Sequence, residues 1–181
     1  MREKVSAEAI GRFMEALGRI GRTNARIYFV GGVSAVLLGW RESTIDIDLK
    51  LVPEASEILK ALPDLKERLQ VNVELASPDD FIPAVPGWEE RSGFIAREGS
   101  IDFFHYDFYA QALAKIERGH STDLLDVRQM IDRGLVEPSR LLEFFSRIED
   151  RLYKYPAIDA KSFRRALEDF VKSQIARIEK R

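Results

Sequence analysis

The 181-residue sequence predicts an α+β fold, a mixed β-sheet flanked by helices and followed by a helical C-terminal subdomain packed on that core. Three observations predict it. Short β-prone runs alternate with segments of helical spacing as far as Tyr106. One of those runs, "TIDIDLKLV" from Thr44 to Val52, alternates polar and apolar residues with the period of two that a strand imposes. Beyond Asp107 the apolar residues recur only at helical spacing, so the chain is expected to divide into residues 1–106 and 107–181.

Ser6 is the predicted N-cap of a first helix, in which Ile10, Phe13, Met14, Leu17 and Ile20 share a face. "RIYFV" (Arg26 to Val30) is a short strand ended by Gly31-Gly32, and a short helix opening at Val33 is closed by Gly39. After the Thr44–Val52 strand, Pro53 suits the first turn of a further helix, which Pro63 is expected to break or restart. "VNVEL" (Val71 to Leu75) reads as a third strand, and Ser77 to Trp88 as a Pro-rich ordered loop. Gly93 to Tyr106 has the form of a hairpin turning at Glu98-Gly99. Gly119, Gly134, Pro138 and Pro156 punctuate the helical half.

Composition narrows the chemistry. The absence of cysteine excludes disulfides and thiolate metal sites, and His105 and His120 alone do not suggest a histidine-built zinc site. A net charge of -2 gives no general affinity for polyanions, so a nucleic-acid contact would need a local patch. No apolar run spans a bilayer and the N-terminus lacks the apolar core of a signal peptide, so a cytoplasmic protein with no membrane partner is expected.

The chemistry concentrates between Phe29 and Leu49. Residues two apart on a strand point the same way with Cα atoms roughly 6.5–7 Å apart, so Asp46 and Asp48 share one face while Ile45, Ile47 and Leu49 take the other. Paired carboxylates repel unless a positive charge lies between them. Magnesium suits them, since it takes one or two carboxylates together with substrate phosphates. A solvated strand face would carry the same residues. Gly31-Gly32 adds a turn whose backbone N–H groups suit phosphate, or one that simply needs a positive φ.

The whole pattern, an apolar run, Gly-Gly, a short helix and then Asp-Ile-Asp-Leu, resembles the signature of the DNA polymerase β-like nucleotidyltransferase superfamily. The intervening "GWREST" is similar to the form found in the AbiEii-type toxin and related branches. The resemblance implies a magnesium-dependent enzyme, with two ions, moving a nucleotidyl group from an NTP to a hydroxyl and releasing pyrophosphate. By that likeness Gly31 and Gly32 hold the triphosphate, Asp46 and Asp48 hold magnesium, and Ser34, Arg41, Ser43 and Thr44 lie on the phosphate side. A third acid on a neighbouring strand is implied as metal ligand or proton acceptor, with Glu74 preferred and Asp102 its competitor. The toxin relatives suggest tRNA as acceptor, another hydroxyl acceptor being open, and a cognate antitoxin as partner.

"DFYAQALAKIERGHSTDLLDVRQMI" resembles the AbiEii segment in which a helix-borne Lys precedes an Arg and an Asp-x-x-Asp pair. The resemblance implies Lys115 at the triphosphate with Asp123 near it, and Arg118 and Asp126 as neighbours. The plainer alternative is an amphipathic helix with Lys115 in solvent and the two aspartates at a helix N-terminus. Neither histidine has a positioned partner that marks a catalytic base, and His120 suits a cap or surface position. The aromatic stretch from Phe103 to Tyr109 reads as core. The last helix joins an apolar stripe (Phe163, Leu167, Phe170, Val171, Ile175, Ile178) to a basic face containing Lys161, Arg164, Arg165, Lys172, Arg177, Lys180 and Arg181. That face is either solvated or turned to RNA. A nucleotide- or RNA-binding module of the same fold without turnover is the rival reading, and a purely structural protein the third.

Overall fold

Strand β2, Asp46–Val52, alternates half-buried and buried residues along its whole length, and the rest of the sheet is built around it. In the computed structural model, which describes residues 4–180, β2 lies between β1 (Ala25–Val30, antiparallel) and β3 (Asn72–Leu75, parallel). β1 also pairs in parallel with β5 (Ile101–His105), which closes an antiparallel hairpin with β4 (Gly93–Glu98). The strand order is β3-β2-β1-β5-β4. This is the mixed sheet that the sequence predicts.

One face of the sheet is apolar. Ile47, Leu49 and Leu51 of β2 join Ile27 and Phe29 of β1, Ile101 and Phe103 of β5 and Val73 of β3 in one core. Onto it pack helix α1 (Ala7–Ile20), through Ile10, Phe13 and Leu17, and helix α3 (Ser56–Leu69), through Ile58, Leu62 and Leu65. Ser6 caps α1 by accepting the Ala9 N–H, as expected. The short helix α2 (Gly32–Leu37) contributes Val33 and Val36. It opens one residue earlier than the sequence suggests.

Several expectations are corrected. Pro63 neither breaks nor restarts α3, which runs through it. The ring lies on the exposed side while Ile58, Leu62 and Leu65 remain buried, so packing outweighs the missing hydrogen bond. Pro53 precedes α3 instead of joining its first turn, because Ala55 occupies the N-cap. β2 starts at Asp46; Thr44 pairs with Val5 in an isolated bridge. Within the loop 77–88 there is a 3-10 turn over Pro78–Asp80, and a short helix α4 spans Trp88–Arg91.

The chain forms two compact units, residues 1–77 with 92–106, and residues 78–91 with 107–181. The second consists of α4, α5 (Phe108–Arg118), α6 (Ser121–Asp132), α7 (Pro138–Ser146), a 3-10 segment (Glu149–Lys154) and α8 (Ala160–Glu179). Polar bonds bind segment 78–91 into it. Arg91 Nη2 donates to Asp107 Oδ2 at 2.7 Å and its Nε to Oδ1 at 3.2 Å, while Arg91 Nη1 donates to the Pro86 carbonyl. Asp107 also caps α5 by accepting from Tyr109 N and Ala110 N.

On α8, Phe163, Leu167, Phe170 and Val171 are buried as predicted, but Ile175 and Ile178 are exposed and Gln174 takes the inward position. The basic face is partly paired, Arg164 with Glu149 and Glu168 and Arg177 with Asp132; Arg181 lies outside the described residues. No helix among the described residues is long and apolar enough to cross a membrane.

The β4–β5 turn shows how tightly α1 meets the sheet. Gly99 has φ +59, and a Cβ there would strike the Gly18 carbonyl oxygen and lie 3.1 Å from its carbon. Gly99→Ala is therefore expected to cost about 1–3 kcal/mol. Gly11, mid-helix with open space around it, is expected to gain about 0.5–1 kcal/mol as Ala. Urea midpoints of the two variants check both signs.

Candidate active site

The face of the sheet opposite the apolar core carries the charged residues. Register pairs Asp48 with Val30 of β1 and with Glu74 of β3, and Asp46 with Asn72 of β3. Paired residues share a face, so Asp46, Asp48, Asn72 and Glu74 lie side by side on two adjacent strands. Asn72 Nδ2 donates to Asp46 Oδ1 at 2.7 Å and to Glu74 Oε1 at 3.1 Å. Asn72 thus bridges two acids, a role that "VNVEL" indicates only through its shared face with Glu74.

The glycine turn arrives beside these carboxylates because β1 ends where β2 begins. Gly31 has φ +57, and a Cβ there would lie 3.8 Å from Asp48 Oδ2. Gly32 answers to a different constraint. A Cβ on it would land inside the Thr44 side chain, 2.7 Å from Thr44 Cβ. Its smallness lets α2 lie against the lead into β2, so a bulky substitution there tests packing before it tests phosphate.

The remaining glycine-side residues divide by environment. Thr44 exchanges both backbone hydrogen bonds with Val5 and donates its hydroxyl to the Asp46 carbonyl at 3.3 Å. Ser34 is fully buried and donates to the Phe29 carbonyl at 3.4 Å. Its Oγ also lies 2.8 Å from His105 Nδ1. Arg41 and Ser43 occupy the half-buried stretch before β2. Asp102 is far along the sheet from the acids: it pairs with Arg26, which pairs with Val52 at the opposite end of β2 from Asp46, and it forms an ion pair with Arg97.

His105 corrects the expectation that neither histidine has a positioned partner. β5 brings it against α2, a long-range pairing invisible to local spacing. His120 behaves as expected, exposed at the N-cap position of α6 without a side-chain cap bond.

Lys115 belongs to the helical unit, and it does not lie in solvent. Its Nζ donates to Asp123 Oδ1 at 2.8 Å and Asp126 Oδ2 at 2.9 Å, and all three side chains are buried. Arg118 Nη2 reaches the same Asp123 oxygen at 2.8 Å. Burial by itself would raise the Asp123 carboxyl, but Lys115 and then Arg118 outweigh it and hold Asp123 below the usual carboxylate range. The cluster fastens α5 to α6, and its formal charges cancel.

The sheet face fits magnesium through two carboxylates. Among the described residues no group of three or more His, Asp and Glu side chains is gathered for a metal, so further oxygens would come from substrate or water. A family model described as "Nucleotidyltransferase of unknown function (DUF6036)" matches residues 9–175. The chain belongs to this nucleotidyltransferase family. The match extends over both units, so the helical one is part of the family's fold and no appendage to it. No curated protein and no solved structure matches the chain.

Burial lowers the His105 pKa to about 4, so the folded protein keeps it neutral where the unfolded chain, near 6.5, accepts a proton. The stability of neutral His105 is fully present above about pH 6.5 and is lost as the pH falls toward 4, by about 3 kcal/mol in all. Urea midpoints measured from pH 7.5 to 4 should show that loss in the wild type, and a shallower one in His105→Gln.

Lys115→Met removes the ammonium shared by buried Asp123 and Asp126, with Arg118 still on Asp123, and is expected to cost about 3–5 kcal/mol. Equilibrium unfolding at pH 7 measures it. A change under about 0.5 kcal/mol, the range of a surface substitution, would contradict the buried cluster.

Proposed function

We propose that this protein is a magnesium-dependent nucleotidyltransferase that moves a nucleotidyl group from an NTP to a hydroxyl acceptor. The observation that carries the reading is the meeting of Gly31 with Asp48, on a strand where Asp46 and Asp48 share a face. Membership of a nucleotidyltransferase family supports the same class.

In this reading Asp46 and Asp48 would hold magnesium, two ions by the family resemblance. When bound, magnesium supplies Lewis-acid charge at the transferring phosphoryl group and orients its oxygens. Gly31 and Gly32 offer backbone N–H groups to the triphosphate, with Arg41 and Ser43 on its approach. Asn72 fixes the Asp46 carboxylate through its 2.7 Å hydrogen bond, limiting the rotation that would otherwise cost alignment. Glu74, exposed beside Asp48 in register, accepts the proton of the attacking hydroxyl. Ser34, fully buried against Phe29 and His105, and Thr44, bonded to the Asp46 carbonyl, shape the turn on the phosphate side. Lys115 and Asp123 are assigned to the triphosphate by resemblance, and the two carboxylates on the Lys115 ammonium give it a structural duty first. The acceptor we favour is tRNA, with toxin activity held in check by an antitoxin as the corresponding biology.

The rival reading is a nucleotide- or RNA-binding module of the same fold without turnover. Catalysis separates the two. Asp46→Asn and Asp48→Asn keep side-chain shape, and Asn at 46 retains an oxygen for Asn72. Each is expected to lower single-turnover incorporation of labelled NTP into total cellular RNA by about 10²-fold or more, with an unchanged melting curve. Wild-type incorporation that survives excess chelator, or equal incorporation by the double variant, would reject the mechanism.

A further inference from the structure

The charged sheet face has a second concentration of polar groups at the end remote from Asp46. Register sets Val52, Arg26, Asp102 and Arg97 abreast on β2, β1, β5 and β4. These residues line a concave cavity of about 420 Å³. The volume is in the range of small-molecule sites. Val52 is six residues along β2 from Asp46, about 20 Å at the usual strand rise.

We propose that this cavity binds a phosphate monoester carrying hydroxyl groups. The charge of the row supports an anion: two guanidinium groups flank one carboxylate, leaving a net positive charge. Arg97 grips Asp102 in a two-point pair, Nε to Oδ1 at 2.8 Å and Nη2 to Oδ2 at 3.3 Å. That pair fixes the plane of a side chain that is otherwise 60% exposed, and it turns the remaining edge of the guanidinium away from Asp102. Planar, oriented guanidinium groups match phosphate oxygens. As an exposed ion pair it adds little to stability, about 0–1 kcal/mol, so folding alone gives weak reason for the arrangement.

The rim is also built. The Ser100 hydroxyl donates inward to the Gly21 carbonyl at 2.9 Å, with the Thr23 carbonyl 3.2 Å from the same Oγ, which ties the β4–β5 turn to the segment entering β1. Asp102 between the two arginines accepts from a ligand hydroxyl, which distinguishes a sugar phosphate from a bare anion. The proposal rests on this end of the sheet alone and does not depend on nucleotidyl transfer.

Ribose 5-phosphate is the probe, with ribose and ionic-strength-matched chloride as controls, followed by amide chemical shifts on the whole chain. The expected result is saturable shifts confined to the amides of residues 24–26, 52 and 97–102 with ribose 5-phosphate and none with either control. Arg26→Gln and Arg97→Gln, each checked for an intact spectrum, are expected to weaken binding about tenfold or more, the worth of a charge-assisted hydrogen bond. Asp46→Asn is expected to leave it unchanged. Absent saturation, equal shifts with chloride, unaltered affinity in both Arg variants, or loss of binding in Asp46→Asn would each overturn the proposal.

Discussion

Everything at the candidate site depends on the register of β2. The alternation that buries Ile47, Leu49 and Leu51 leaves Asp46, Asp48 and Lys50 no choice but the other face. A slip of one residue would bury two carboxylates and expose the core, so the apolar energy of the sheet also fixes the position of the acids. Antiparallel pairing with β1 then brings the Gly31 turn to Asp48, and parallel pairing with β3 brings Asn72 and Glu74 alongside. The polar geometry is a by-product of hydrophobic constraint, held in place by far more energy than a pair of like charges spends in repulsion.

The helical unit is organised by buried charge. Asp107 receives two backbone N–H groups and the fork of Arg91, while Lys115 sits between Asp123 and Asp126. Such groups are costly to desolvate and harsh when one partner is lost. They therefore specify which helices meet, α4 with α5 in the first case and α5 with α6 in the second. A loss of activity on replacing Lys115 would therefore not by itself give it a catalytic role.

Sequence made the strands and the sheet's two faces legible because period-two alternation is a local property. β2, the β4–β5 hairpin and the first helix are all close to their expected bounds. Pro63 misled because local propensity takes no account of the packing of Ile58, Leu62 and Leu65. The partners of His105 and Asn72 were out of reach for a different reason, whereas the grouping of Lys115 with Asp123, Asp126 and Arg118 was named by resemblance alone. His105 meets Ser34 across 71 residues and Asn72 meets Asp46 across 26, and only strand order creates those distances. Lys115 and Asp123 are close in sequence, yet the turn at Gly119, with φ +69, is what folds one back on the other. Gly31 makes the turn that the Gly-Gly pair was read as, while Gly32 already belongs to α2 and its separate reason, the Thr44 side chain, belongs to tertiary packing.

We propose above that Asp46 and Asp48, together with the Gly31 turn, form a divalent-metal and nucleotide site. Replacing magnesium with Mn²⁺ in the presence of ATP and following paramagnetic broadening of the backbone amides tests it most directly, since it locates the ion without requiring an acceptor. The amides of residues 30–32, 46–48 and 72–74 are expected to broaden first, and Asp48→Asn to suppress the effect. Broadening centred elsewhere, or none at metal and ATP concentrations that saturate ordinary nucleotide sites, would contradict it.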